Sequence, residues 1–282
     1  MNDFSRITVC AVDCVTPKLA ARALERSMEQ CDFADALLLT DQSVDTRARV
    51  EKIGPIGSQT EYSRFMLREL GPYIRTDYVL VVQWDGFVLD ASQWRSGFLD
   101  YDYIGAPWPI NDRFEVGNGG FSLRSRRLLD ALADPGFPQE EVKLEDQYIC
   151  ITQRPWLEAH HGIRFAPRSV AQHFSYELVE HDGPTFGFHG LFNMWRHHSD
   201  EEILSLVPEF SEATLTSDTF SLFLYKSMAR GKYQFAQRLL ERIIDRLGEE
   251  RGMAGYRKWL AKDQATADAF IKMRQSQMPL HG

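Results

Sequence analysis

The order of the first three patterned segments narrows the fold more than any other feature of the chain. Ile7-Thr8-Val9-Cys10-Ala11-Val12 is a short β-rich run, Pro17 to Gln30 has a helical composition with Leu19, Ala23 and Leu24 facing one way, and Ala36-Leu37-Leu38-Leu39 is a second apolar run. Strand, helix and strand in that order begin a βαβ unit and predict a parallel sheet. After the turn-like Ile53-Gly54-Pro55-Ile56-Gly57-Ser58, the stretch from Thr60 to Tyr73 reads as a helix whose apolar set is Tyr62, Phe65, Met66, Leu67 and Leu70, stopped by Gly71-Pro72. Tyr78-Val79-Leu80-Val81-Val82 follows as a buried strand. It delivers Gln83-Trp84-Asp85-Gly86 at its mouth, where an acidic residue can meet a metal ion or a phosphate.

Beyond this point regular alternation gives way to strands separated by loops rich in glycine and polar residues. Asp102-Tyr103-Ile104-Gly105-Ala106-Pro107-Trp108 reads as a short strand into a rigid turn; Val116 to Ser125 reads as a glycine loop, a strand and a helix start near Ser125. A helix is expected from Leu144 to His161, opening with Glu145 and Asp146 where the helix dipole favours negative charge, and another strand from Ile163 to Ala166. After His198-Ser199-Asp200 the pattern is helical alone, with helices expected over Phe220–Met228, Tyr233–Leu247 and Gly255–Met273.

Charge and composition exclude several functions. With 44% hydrophobic and 26% charged residues the chain has the make-up of a globular protein, and its net charge of -8, without a basic patch, argues against a nucleic-acid partner. No apolar run is long enough to cross a bilayer and the N-terminus carries no signal-like segment, so the expected location is cytoplasmic, with at most peripheral association with the inner membrane. Cys10, Cys14, Cys31 and Cys150 are scattered and read as free thiols. In the helical tail Lys and Arg alternate with Glu and Asp, which describes a solvated face.

Four segments carry chemistry. Gln83-Trp84-Asp85 brings a hard oxygen ligand to a strand end; Gly117-Asn118-Gly119-Gly120 lets the backbone approach another molecule closely; Glu145-Asp146 places two carboxylates at a helix start; and His189 sits in Phe186-Gly187-Phe188-His189-Gly190. Taken singly, each has an ordinary structural explanation: a strand reaching solvent, a tight turn, favourable first-turn charge, a packed histidine. None of the other histidines has the spacing of a metal site.

Their order along the chain resembles the GT-A-fold glycosyltransferases. Gln83-Trp84-Asp85 stands at the position of the Asp-x-Asp motif of these enzymes, Gly117 to Gly120 at their glycine loop, Leu144-Glu145-Asp146 at their x-Glu-Asp motif, and His189 at their C-terminal histidine. The wording Asp102 to Trp108 followed by Gly117 to Arg124 also looks like a bacterial family of glycosyltransferase-like domains of undefined substrate; the likeness spans residues 5 to 195.

The resemblance implies an α/β fold with a GT-A-like mixed sheet flanked by helices over residues 1–200; the helical C-terminal extension expected over 201–282 lies outside it and rests on helical spacing. The resemblance also implies an inverting glycosyltransferase that moves a sugar from a nucleotide-sugar, with a UDP-sugar as the expected donor, to a hydroxyl of a glycan or lipid-linked acceptor. Val12, Asp13, Cys14, Gln83, Trp84 and Asp85 would contact the donor, and Trp108, Asn118, Gly119 and Gly120 the acceptor. Mn²⁺ or Mg²⁺ would be held by Asp85 and His189, an oxygen and nitrogen pair better suited to Mn²⁺ than to Ca²⁺. Asp146 is the first choice for the base that draws the proton from the acceptor hydroxyl, with Glu145 second.

One departure is visible: Gln83 stands where the motif has its first carboxylate, which puts metal dependence in question. It also keeps open a rival reading, a carbohydrate- or nucleotide-binding module of the same fold without catalysis. A nucleotidyltransferase would want a basic, glycine-rich loop near the first strand, and Ala11 to Pro17 does not supply one.

Overall fold

The structure is a computed structural model that describes residues 3–109, 114–138, 140–179 and 183–261. The chain divides into two compact units, Met1–Gly190 and Leu191–Gly282.

The first unit is built as the opening pattern requires. β1 (Ile7–Val12), α1 (Pro17–Gln30) and β2 (Asp35–Thr40) form the βαβ unit, followed by β3 (Arg49–Lys52), α2 (Gln59–Arg68) and β4 (Tyr78–Val82). β5 (Tyr103–Ile104) and β6 (Phe121–Ser125) complete a six-stranded sheet in the order β3-β2-β1-β4-β6-β5. The β1–β2, β1–β4 and β2–β3 pairs are parallel; β6 runs antiparallel to both β4 and β5. The protein is therefore α/β, with a mixed, mostly parallel sheet flanked by helices.

Both faces of the sheet are buried, which is why its inner strands are continuously apolar. Ile7, Val9, Ala11, Leu80 and Val82 pack with Leu24 of α1 on one face. Cys10, Val12, Val79 and Val81 pack with Phe65 and Met66 of α2 on the other. Cys10, Cys31 and Cys150 are buried, Cys14 is half-buried, and all four are free.

This topology creates a place for a ligand. From β1 the chain proceeds outward through β2 to β3 on one side, and then returns to lay β4 on the other side, so the carboxyl ends of β1 and β4 flank a topological switch point. Because β6 is antiparallel to β4, with Val82 opposite Phe121, the loop preceding β6 lies beside the residues that follow β4.

Two expectations need correction, and one strand carries no sequence signal: β3 is a polar edge strand whose Arg49 pairs with Asp35 and Glu51, so it lacks the apolar run that marks an inner strand. The helix expected from Leu144 to His161 is broken into α4 (Glu145–Gln147), a π turn over Tyr148–Thr152 and α5 (Arg154–His161). Pro155, in the first turn of α5, lacks the N–H that a continuous helix would need. The strand expected over Ile163–Ala166 amounts to one bridge between Phe165 and Tyr103.

Between these elements, α3 (Arg126–Leu132) starts on a Ser125 cap, and α6 (Arg168–Phe174) leads into the two-residue strands β7 (Ser175–Tyr176) and β8 (Gly187–Phe188), which pair in parallel.

The second unit is helical: α7 (Asp200–Leu206), α8 (Glu212–Leu215), α9 (Asp218–Ala229), α10 (Tyr233–Leu247) and α11 (Glu249–Leu260). α10 buries Phe235, Ala236, Leu239, Leu240, Ile243 and Leu247. Its exposed face sends Arg242 to the Leu204 carbonyl and Arg246 to the Val207 carbonyl, at 3.0 and 2.9 Å, capping the end of α7 with positive charge. The helix expected to reach Met273 is described to Leu260, and the remainder lies outside the described residues. Among the described residues no helix is long and apolar enough to cross a membrane.

Candidate active site

The site grows from the end of β4. Gln83 donates its backbone N–H to the Gly120 carbonyl at 2.9 Å, which ties the Gln83-Trp84-Asp85 segment to the glycine loop. β7 and β8 bring the third part. Their register sets Tyr176 opposite Phe188, so the residues that follow, Glu177 and His189, leave the pair side by side.

His189 is held from both ring nitrogens. Nδ1 lies 2.8 Å from Glu177 Oε1, while Nε2 lies 3.1 Å from Gln83 Oε1 and 3.2 Å from Asp85 Oδ1. The Gln83 amide is anchored in turn by donating from Nε2 to the Tyr62 hydroxyl at 3.1 Å. Burial works against a charged imidazole here, but Asp85 and Glu177 outweigh it and raise His189 well above the usual histidine value. Without a metal, a proton on His189 answers the two carboxylates.

Glycine is required where the ring arrives. A Cβ on Gly120 would come within 2.0 Å of His189 Nε2. Gly120→Ala is therefore expected to displace the imidazole and to cost about 1–3 kcal/mol by overpacking, checked by urea denaturation against wild type.

The glycine loop also carries Asn118, the one non-glycine residue of positive φ (68°) among the described residues. Its Oδ1 accepts from the Gly120 N–H at 3.0 Å, an Asx-type bond that stabilises the unusual conformation, while its buried Nδ2 has no hydrogen-bond partner. The next residue, Gly119, donates its N–H to Asp146 Oδ2 at 3.1 Å, and Asp146 Oδ1 accepts from the Gln147 N–H at 2.8 Å. Asp146 is partly exposed and keeps lone pairs for a ligand.

Glu145 has a different part. It is 6% exposed, and its Oε1 pairs at 3.0 Å with Nη2 of Arg124, which is fully buried. Arg124 also binds Ser122 Oγ through Nε at 3.0 Å and approaches the Gly119 carbonyl at 3.4 Å, with its guanidinium over the Tyr103 ring. Burial raises the Glu145 carboxyl, against the pull of Arg124. The Glu145 carboxylate is thus engaged by a buried arginine that also holds the glycine loop, whereas Asp146 faces the cavity.

These groups surround a cavity of about 390 Å³, lined among others by Tyr62, Gln83, Asn118, Asp146, Glu177 and His189. Among the sequence-derived residues, Gly119, Gly120 and Glu145 line it as well, and Asp85 reaches it through His189. Among the described residues no lysine or arginine lines it.

Other expected residues lie elsewhere. Trp108 is 8% exposed and its ring packs against Gly117, where a Cβ would approach to 2.0 Å; it is a core residue beneath the loop and offers no open face to a sugar. Val12 points into the sheet core. The Asp13 carboxylate is occupied by the turn it caps, accepting from the N–H groups of Val15 and Thr16 at 2.7 and 2.6 Å and from the Thr16 hydroxyl at 2.9 Å. Burial raises Asp13, its hydrogen bonds oppose the rise and nearby Asp85 adds to it, so both carboxylates share the carboxyl end of the sheet. The Cys14 carbonyl accepts from the Gln42 side chain at 2.7 Å, and Trp84 is half-buried; neither lines the cavity.

Three participants carry no sequence signal of their role. Glu177 stands in no motif, Tyr62 falls in the apolar set of its helix, and Arg124 follows the glycine loop without any sign of burial.

Residues 46–189, half of the chain and ending on the histidine of this site, match the family model described as "Protein of unknown function (DUF5672)". The chain belongs to this family. The DUF5672 match takes in β3 through β8 with the four site segments, and stops short of the helical unit. No curated protein sequence matches.

Solved structures similar to this DUF5672 chain include mannosyltransferase PcManGT from Pyrobaculum calidifontis in complex with GDP-Man and Mn²⁺, at 13% identity and a TM-score of 0.41, covering 96% of this chain and 88% of that one. S. aureus TarS gives 15% identity and a TM-score of 0.41 over 95% of this chain, and apo glycosyltransferase GlyE of Streptococcus pneumoniae TIGR4 gives 11% and 0.40 over 64%. The chain spans 55% of the TarS chain and 53% of the GlyE chain.

Proposed function

We propose that the protein is a metal-assisted inverting glycosyltransferase that uses a nucleotide-sugar, expected to be a UDP-sugar, and a hydroxyl acceptor on a glycan or a lipid-linked precursor. The observation that carries this reading is the convergence of Gln83 Oε1, Asp85 Oδ1 and His189 Nε2, with N···O separations of 3.1 and 3.2 Å, beside Asp146 at the mouth of the sheet.

The donor set fits a divalent cation. Asp85 would supply a carboxylate oxygen, His189 an imidazole nitrogen and Gln83 an amide oxygen, a mixed set of donors that suits Mn²⁺. Among the described residues no three of His, Cys, Asp and Glu form a metal cluster; the third donor in this set is the amide oxygen of Gln83. A cation held there would supply Lewis-acid stabilisation to a departing diphosphate.

Electrostatics supports the same reading. Among the described residues the lining presents the carboxylates of Asp146 and Glu177, with Asp85 behind His189, an acidic setting that favours a divalent cation. The carboxyl ends of β1 and β4 leave the backbone of Val12, Asp13 and Cys14 as the place for the donor's base. Asp146, fixed by the Gly119 and Gln147 N–H groups, takes the proton from the acceptor hydroxyl as it attacks the anomeric carbon. Gly119 and Gly120 let the acceptor approach the backbone, with Asn118 Nδ2 an unpartnered donor buried beneath the loop.

Thermal-shift measurements on the full chain test this directly. UDP, GDP and their sugar conjugates are expected to raise Tm in the presence of Mn²⁺ and to leave it unchanged without metal. Stabilisation indifferent to Mn²⁺, or none from any nucleotide, would remove the reading. A product that retains the donor's anomeric configuration would overturn the single displacement.

A further inference from the structure

We infer that Glu177 is a positioning residue for the cation site, fixing the His189 ring so that Nε2 faces Asp85 and Gln83. The inference rests on the metal reading given above and assigns a role to a residue outside every motif of the sequence.

An imidazole can present either of its two nitrogens in a given direction, and a neutral ring has two tautomers. The Glu177 carboxylate, 2.8 Å from Nδ1, accepts a hydrogen bond from that nitrogen and so places the hydrogen there. Gln83 Oε1 and Asp85 Oδ1 are acceptors for a hydrogen on Nε2; a cation there would replace that hydrogen, while the one that Glu177 holds on Nδ1 would stay. A carboxylate behind a ligating histidine both orients the ring and raises its basicity as a ligand.

The fold spends structure on this contact. β7 and β8 contain two residues each, too few to be stable as an isolated sheet, yet they pair in register directly before Glu177 and His189. His189 donates its backbone N–H to the Tyr176 carbonyl at 3.0 Å, which prolongs the pairing to the functional residue. Gly187 is held close against Phe121, where a Cβ would come to 2.1 Å from the ring, and Phe87 packs edge-on against Phe188. The pair is thereby pinned to β6 on one side and to the segment after Asp85 on the other. Glu177 is partly covered, at 17% side-chain exposure, so its carboxylate is neither free to swing away nor fully removed from solvent.

The test is Mn²⁺ binding to the full chain at fixed pH, followed by the loss of the free-ion EPR signal, for wild type, Glu177→Gln and Glu177→Ala, with metal-free Tm measured in parallel. Glutamine keeps an acceptor oxygen for Nδ1 but not the charge, and alanine removes both. The expected result is about 10-fold weaker binding for Glu177→Gln and up to about 100-fold for Glu177→Ala. Variants that bind Mn²⁺ as tightly as wild type, or whose only change is a lower Tm, would overturn the assignment while leaving the metal site standing. A wild-type chain that binds no Mn²⁺ would overturn both.

Discussion

Asp146→Asn is expected to lower turnover by about 10²–10⁴-fold, the usual contribution of a general base, while Mn²⁺ and nucleotide binding persist. The carboxylate is partly exposed and lines the cavity, and its position depends on two backbone donors, Gly119 N–H at 3.1 Å and Gln147 N–H at 2.8 Å. An asparagine keeps one acceptor oxygen and the side-chain volume, so the loop stays near its place while the proton acceptor is lost. Steady-state kinetics with donor and acceptor, beside calorimetric titration of the nucleoside diphosphate, separates the two effects. This variant also divides the proposed enzyme from a binding module built on the same fold, which Gln83 in place of a carboxylate keeps in view. A module has no turnover to lose, and full activity in Asp146→Asn would reject Asp146 as the base.

Breaking the Arg124–Glu145 pair should have the largest effect on stability. Arg124 is fully buried and Glu145 nearly so, and removal of one partner strands the other charge away from water. Glu145→Ala or Arg124→Met is expected to cost about 3–5 kcal/mol, measured by urea denaturation. The paired replacement of Arg124 by Met and Glu145 by Leu should cost less than the sum of the single changes, because no charge is then left unpaired. Additive losses would mean that the two side chains act separately. The pair also ties Glu145 to the loop: its oxygen is bound to the arginine that holds the Gly119 carbonyl, and Gly119 in turn holds Asp146.

The contrast between Asp146 and its neighbour shows where a sequence is informative. β1, α1, β2 and β4 were legible because burial on both sheet faces demands continuous apolar runs, and the helical face demands its own spacing. Gln83 and Asp85 were legible because a strand of that kind must deliver its next residues to one end of the sheet. β3 was not, since an edge strand with Arg49 and Glu51 in ion pairs has no apolar signature. Glu177 was not, because a two-residue strand has no periodicity and its partner His189 becomes a neighbour only through the β7–β8 register. Trp108 misled for a plain reason: an aromatic ring beside a glycine loop reads the same whether it faces a sugar or packs under the loop. Only the close approach of Gly117 to the ring decides between them.

The central claim is that Gln83, Asp85 and His189 form one cation site next to Asp146. Anomalous diffraction from crystals of the full chain soaked with Mn²⁺ and UDP tests it most directly. A manganese peak is expected within bonding distance of Asp85 Oδ1 and His189 Nε2, beside the diphosphate. A diphosphate bound in this cavity with no manganese beside it, or manganese bound elsewhere on the protein, would rule out a cation site at Gln83, Asp85 and His189.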